Sequence, residues 1–238
     1  MKRVLIVKGG LWDCHDPELE SERFARIMRE EGYEAVITAD MKVLCDEKYL
    51  KECCLIIVNC TMGELPGGAA QAISEAVASG VGLAGCHGGM CDAFRTDTHW
   101  QFMTGGQWVS HPGGHIEYEV NIIHGSSPIT EGIEDFKVYT EQYYMHVDPA
   151  IEVLATSRVP VCKYYNAANK ACDMPLAWTK YWGNGRVFYS SLGHCDSFFD
   201  EYPQAELLMR RGMVWAAQGK QYAIDNNLTT DRFDVEGY

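Results

Sequence analysis

The chain has 238 residues, 47% of them hydrophobic and 22% charged, which suits one substantial α/β core and is short for two. Thirty-three acidic against twenty basic side chains leave a formal charge of −13, so the average surface repels phosphate backbones and anionic headgroups, and neither nucleic acid nor membrane is expected as a partner. No apolar run approaches the roughly 20 residues that span a bilayer, and MKRVLIVKGG breaks at Gly9 without a signal-like core, which points to a cytoplasmic protein.

In chain order, RVLIVK (3–8) has the length and composition of a buried strand. After Gly9 and Gly10, Leu19, Phe24, Ile27 and Met28 recur at helical spacing up to Gly32. YEAVITAD is a second strand, and Asp46 caps a short helix through about Leu50. CLIIVNC is almost continuously apolar, as a parallel strand covered on both faces must be. GELPGG then reads as a loop, QAISEAVASG as a helix and VGLAG as a fourth buried strand. Four strand-and-crossover units within ninety residues predict a doubly wound, mostly parallel sheet of flavodoxin-like type.

The second half predicts antiparallel additions. HIEYEVNII, DFKVYTEQYYM, IEVLATSR, MPLAWTKYW and RVFYSSLG all read as extended, with GNG (183–185) a hairpin turn between the last two. Leu207, Leu208, Met213, Val214 and Trp215 are spaced for a closing amphipathic helix. From Gly219 no period is visible, so the reading is one domain over 1–218 and an arm or tail over 219–238. The ten cysteines include no C-x-x-C pair, which argues against a thiolate zinc cage, and most are expected to be reduced, buried small hydrophobes.

In an open parallel sheet, ligands meet the protein beyond the carboxyl ends of the strands. His15 follows the first strand by a short loop, His87 directly follows the fourth, and His194 directly follows RVFYSSLG, so three distant histidines share one expected edge. His111 and His115 flank a glycine-rich turn, one of them expected to face the site and the other solvent; His99 and His124 are read as surface residues. Glu141 lies in an aromatic stretch where burial is costly unless a metal, a histidine or a substrate hydroxyl partners it. Imidazoles with a carboxylate suit a divalent metal, and equally suit acid and base work on sugar hydroxyls. Trp12, Trp108, Tyr143 and Tyr144 fall near the same edge, where aromatic faces stack on sugar rings or simply fill the core.

GCHGG (85–89) has the strand, tight turn and helix context of a nucleophile elbow. One reading makes Cys86 a nucleophile beside a helix N-terminus, with His194 as base and Asp196 orienting it. The other makes His87 the functional residue, since neighbours at a sharp bend point in different directions.

The ordered series VLIVKGGLWDCHDPE, GCHGGMCDAF, FMTGGQWVSHPGG, SPITEGIEDFKVYTEQYY and PLAWTKYWGNGRVFYSSLGH resembles the ThuA-like (trehalose utilization) family across roughly residues 3–217. That resemblance implies a fold similar to class I glutamine amidotransferases. It implies that the histidine after the fourth strand is the recurrent polar residue, here His87, with a commonly apolar or aromatic position before it, here Cys86. It also maps family positions onto His15, His111, Glu141 and His194. The implied biology is use of disaccharides or their keto derivatives, with a sugar dehydrogenase as pathway partner.

The leading expectation is therefore a sugar-processing hydrolase or lyase. His87, His194 and Glu141 form its catalytic centre; His15, His87, His111, Glu141 and His194 are candidate metal ligands, with zinc the first choice; and Trp12, Trp108, His111, Tyr143 and Tyr144 bind substrate. The alternatives are a Cys86 hydrolase or a non-catalytic sugar-binding protein. A small-molecule sugar is the expected partner, no nucleotide cofactor is expected, and homo-oligomerisation is left open.

Overall fold

The computed structural model describes residues 2–125, 127–160 and 170–233. Strand β1 (Arg3–Gly10) leads through a 3-10 turn (Asp13–His15) into α1 (Pro17–Glu30) and β2 (Glu34–Thr38). A second 3-10 turn (Met41–Cys45) and α2 (Glu47–Lys51) precede β3 (Leu55–Thr61), α3 (Ala69–Ala78), β4 (Gly82–Cys86) and the short α4 (His87–Cys91). Pro17 opens α1, where its missing N–H has no helical partner to lose. The Asp46 carboxylate accepts the Tyr49 amide at 3.0 Å, the cap read from the sequence. Every residue of β3 is buried, as its apolar run requires.

The chain continues through α5 (Thr98–Thr104), β5 (Gly106–Ser110), β6 (His115–Ile122), β7 (Phe136–Glu141), β8 (Tyr144–Val147), β9 (Glu152–Val159), β10 (Cys172–Trp182), β11 (Gly185–Ser190), α6 (Asp196–Glu201) and α7 (Pro203–Asp225). The large sheet has the order β2-β1-β3-β4-β11-β10-β9-β6-β7. Pairing is parallel from β2 to β11 and antiparallel from β11 to β7. It is the doubly wound sheet with antiparallel additions that the sequence predicts. Gly183, at φ +58, makes the hairpin turn before β11.

Helices α1 and α7 cover one face, packing Phe24, Ile27 and Met213 on Val4, Ile6, Ile57 and Ala84. Helices α3 and α5 cover the other, with Ile73, Val77 and Trp100 among Leu5, Val7, Ile56 and Leu83. The Arg23 guanidinium ties α1 to the C-terminal helices, with Asp196 at 2.6 Å, Glu206 at 2.6 Å and Asp200 at 2.9 Å.

Three expectations need correction. DFKVYTEQYYM is not one strand: the chain breaks at Gln142 and Tyr143, so β7 joins the large sheet while β8 pairs with β5 in a separate ribbon. The tail does not begin at Gly219, because α7 runs on to Asp225 with Gly219, Lys220 and Ala223 buried; the small side chains of 219 and 223 allow close packing that an apolar period does not reveal. His99 is half-buried on α5 and hydrogen-bonds the Ser74 hydroxyl at 3.1 Å.

The register of the β6–β7 hairpin decides the site. β6 pairs with β9 only over Val120–Ile122, whereas its pairing with β7 runs on to His115 opposite Glu141. Five strand spacings of about 4.8 Å would hold β7 roughly 24 Å from β4 in a flat sheet. The open end of the hairpin, remote from its turn, is unpaired on its β9 side, so it leaves the sheet and brings Glu141 to the carboxyl edge of β4.

Candidate metal and catalytic centre

The bend after β4 separates two adjacent side chains. Cys86 keeps an extended backbone (φ −137) and turns its thiol into the core with Leu192 and Phe199, where it is 2% exposed. Burial first, and then the nearby Glu20, push that thiol's pKa well above its ordinary value. The Cys86 nucleophile is thereby corrected: its sulfur lies in the core under α1 and α6, protonated and away from the cluster. Asp196 does not orient His194 either, since its carboxylate is bound to Arg23.

His87 is the residue at the apex, with φ +47, a left-handed conformation that costs a non-glycine residue roughly 1–3 kcal/mol. Asp16, Met62 and Phe94, also at positive φ, flank the same edge, so backbone strain gathers around it. Gly88 is needed there because a Cβ would lie 2.8 Å from both His15 Nδ1 and Thr61 Oγ1.

Four groups from four distant segments converge. His15, His87, Glu141 and His194 each place one ligand-type atom within 4.8 Å of the others. His87 Nε2 lies 3.3 Å from Glu141 Oε2 and 3.3 Å from His194 Nδ1, and His194 Nδ1 lies 3.6 Å from the same carboxylate oxygen. Neighbouring ligand atoms on a tetrahedral ion with bonds of about 2.0–2.1 Å are roughly 3.3–3.4 Å apart, so the spacing fits a small divalent cation. The outer atoms fix the rings: His87 Nδ1–H donates to the Ser191 carbonyl at 2.9 Å, and His15 Nδ1 shares a 2.8 Å hydrogen bond with Thr61 Oγ1.

The electrostatics favour the same occupant. Because a carbonyl can only accept, His87 Nδ1 carries the proton, and the neutral ring turns a bare Nε2 toward an ionised carboxylate. Burial lowers the His87 pKa despite Glu141, which resists placing a second proton there. His15 is lowered to about 3, by burial first and then by repulsion from His87 and His194. Burial opposes ionisation of Glu141, but the imidazoles of His194, His87 and His111 around the carboxylate, each able to turn cationic in the absence of a metal, outweigh it and hold its pKa well below the usual carboxylate range. Two acceptors facing each other at 3.3 Å need positive charge between them. A divalent cation supplies it while leaving the imidazoles neutral, the form in which they bind metal.

The other carboxylate oxygen faces the glycine-rich turn. Glu141 Oε1 has His111 Nε2 at 3.6 Å and His115 Nε2 at 4.0 Å, so both histidines of that turn reach the site, not one. His111 stands outside the four-residue cluster, on the far oxygen, which removes it from the metal set. A pocket of about 170 Å³ opens beside the cluster, lined by Trp12, His15, Thr61, Met62, Asp92, Arg95, Trp108, His111, Glu141 and Tyr143. Tyr143 stacks on His87 with ring centroids 4.3 Å apart. Tyr144 is not in the lining: the break before β8 turns it to the β5 ribbon, opposite Ser110. Trp108 Nε1 and His111 Nδ1 are buried without a hydrogen-bond partner among the described residues.

Sequence reasoning missed Thr61 and Ser191, which orient ligand rings from the ends of β3 and β11, and the Asp92–Arg95 pair in the pocket wall. Their position one turn after an elbow, or at a strand's carboxyl end, was the available signal.

A family model described as trehalose utilisation matches residues 3–216. The chain belongs to the ThuA family. Solved structures similar to this ThuA-family protein include a ThuA-like protein from Parabacteroides merdae, 20% identical with a TM-score of 0.69 over 92% of this chain and 91% of that one. Another, from Bacteroides uniformis, is 20% identical with a TM-score of 0.70 over 90% and 91% of the two chains. A glutamine amidotransferase from Thermotoga maritima is 13% identical with a TM-score of 0.51, covering 97% of this chain and 87% of its own. At these identities the likeness shows the fold alone. No curated protein matches the chain in sequence. Among the described residues, no helix is long and apolar enough to cross a membrane.

Proposed function

We propose that this ThuA-family protein is a carbohydrate-processing enzyme acting on a disaccharide or keto-sugar at a divalent metal, zinc by first choice, held by His15, His87, Glu141 and His194. The observation that carries the reading is the facing pair of acceptors, His87 Nε2 and Glu141 Oε2, 3.3 Å apart within a four-ligand cluster. A metal there would polarise a substrate oxygen as a Lewis acid.

The residues of the chain account for the rest. The pocket's roughly 170 Å³ is below the ~300–1,000 Å³ of typical ligand sites, so one sugar ring enters and the remainder of a disaccharide projects past Trp12, which is 47% exposed. Trp108 and Tyr143 present apolar faces to that ring. A ketone acidifies the C–H beside it. Elimination then moves that proton to a base, breaks the bond from the β-carbon to the glycosidic oxygen, and returns a proton to the departing oxygen, leaving an enone and a free alcohol. His111, half-exposed and against Glu141 Oε1, is placed to pass the proton between pocket and solvent. No covalent nucleophile is required.

Protein purified without chelators is expected to carry about one divalent metal per chain by elemental analysis, and to release monosaccharide from keto derivatives of trehalose or sucrose. Absence of product on these substrates after loading with zinc, manganese, nickel or iron would overturn the reading.

A further inference from the structure

The lining of the pocket divides by exposure. His15, Thr61, Asp92 and Tyr143 are buried on its floor, whereas Trp12, Met62, Arg95, Trp108 and His111 form a rim that is at least partly exposed. The aromatic rings of the lining also differ in what they already touch. Tyr143 stacks on His87, and Trp108 carries the Arg95 guanidinium 4.8 Å from its ring centroid, so each spends one face inside the wall. Trp12 is 47% exposed, and no ring or cation of a described residue stacks on it. Its backbone is nonetheless fixed. Gly10 packs so closely on β3 that a Cβ there would clash with the Thr61 carbonyl oxygen, and the Leu11 amide donates to that same oxygen at 2.9 Å. Leu11, 75% exposed, continues the apolar rim beside Trp12. A pinned loop thus holds two adjacent large apolar side chains in water at a pocket mouth, where a stacked ligand would recover the hydrophobic cost.

We infer that Trp12, with Leu11, is a platform for the departing half of the substrate, and that the preferred departing group is an aromatic alcohol and not a second sugar. The inference rests on the carbohydrate reading, whose pocket of about 170 Å³ admits one ring and sends the remainder past Trp12. A flat aryl ring on an indole buries apolar surface on both partners and gains further from offset stacking. A second sugar can lay its C–H face on the same indole, but it buries less apolar area, and neither Leu11 nor the face of Trp12 offers its hydroxyls a hydrogen bond. A methyl group in that place is too small to cover the ring. The chemistry is that of the elimination above. The proton beside the ketone goes to the base, the bond from the β-carbon to the aryl oxygen breaks, and a proton returns to that oxygen, leaving an enone and a phenol. A cation on His15, His87, Glu141 and His194 acts at the floor on the reacting ring and leaves a contact between uncharged faces at the rim unchanged. Trp12 is therefore a specificity residue, touching substrate away from the reacting atoms.

The test measures kcat and KM of the full chain, loaded with whichever of zinc, manganese, nickel or iron supports turnover, on the keto derivatives of phenyl glucoside, trehalose and methyl glucoside. Because the departing groups differ in acidity, the effect is read from KM and from the change on substitution within each substrate. In wild type the KM for the phenyl substrate should lie about tenfold below that for the methyl one and at least about threefold below that for the trehalose one. Trp12→Ala should raise the phenyl KM about tenfold with kcat within about threefold, and should leave the methyl KM within about twofold and the metal content unchanged. Trp12→Phe, which keeps a flat face, should restore most of the phenyl preference. A trehalose KM at or below the phenyl one, no turnover of the phenyl substrate beside turnover of another, or a rise in KM in Trp12→Ala that is equal for all three overturns the inference and leaves the carbohydrate reading standing. If none of the three is turned over with any of the four metals, the carbohydrate reading fails and the inference falls with it.

Discussion

The carboxyl edge of β1, β3, β4 and β11 and the open end of the β6–β7 hairpin supply the same centre in opposite ways. The first is stiff: His15 and His87 sit on or beside strained backbone, each ring held by a buried hydrogen bond at the end of a parallel strand. The second is an extension, held by a three-residue pairing with β9, that carries Glu141 and His115 as cross-strand partners. A rigid floor with a carboxylate delivered from above makes a site whose geometry depends on the floor and whose charge balance depends on the hairpin.

The sharpest break comes at the floor. His87→Ala should lower turnover on keto-disaccharides by about 10³-fold or more, since it removes a proposed metal ligand and the apex side chain. Cys86→Ala should leave turnover within about threefold and cost only about 1–2 kcal/mol of stability in a denaturant melt, as for a small buried side chain removed from a core. The reverse pattern would restore the thiol mechanism.

Next in size is the outer support. Thr61→Val keeps the shape of the site but removes the hydrogen bond that fixes the His15 ring. Metal affinity, measured by competition with a chromophoric chelator, should fall about 10–100-fold. A similar loss in His115→Ala would contradict the division of labour, because His115 meets the outer oxygen of Glu141 and the His194 ring but stands outside the four-residue cluster.

Acid should expose the same edge in metal-free protein. The folded pKa of His15 is depressed to about 3 from 6.5, so below pH 6.5 the unfolded chain takes up a proton that the folded chain refuses. Stability is complete above 6.5 and is lost as pH falls toward 3, by at most about 1.4 kcal/mol per pH unit from this residue. The depressed pKa of Glu141 adds a loss of the same sign below its ordinary value of 4.5. Thermal melts from pH 8 to 4 should show the decline, and His15→Gln should make it shallower.

The smallest expected effect is at the open end of the hairpin. His115→Ala should change turnover only a few-fold with metal content intact, while His111→Ala, which removes a pocket wall as well, should change it more.

Much of this was legible from residue types alone, and the failures have identifiable causes. The apolar run of β3, the Asp46 cap and the turn at 183–185 are local patterns, and the structure contains all three. Histidines 15, 87 and 194 were locatable because each follows a recognisable strand, directly or by a short loop. Tyr144 was misjudged because the strand breaks directly after Glu141, and the boundary at Gly219 because small residues pack a helix without an apolar period. Asp92 and Arg95 were overlooked because nothing around them distinguishes a pocket wall from an ordinary surface pair.

By itself the sequence determined the order of strands and crossovers and the edge at which polar groups collect, since alternation of apolar runs and caps acts over a few residues at a time. Only the tertiary structure decided that Cys86 points into the core while His87 faces the pocket, and that Glu141 crosses from the far end of the sheet to meet it. Those outcomes depend on one backbone torsion at a bend and on how far a hairpin stays paired with its neighbour, and neither leaves a periodic trace in the order of residues.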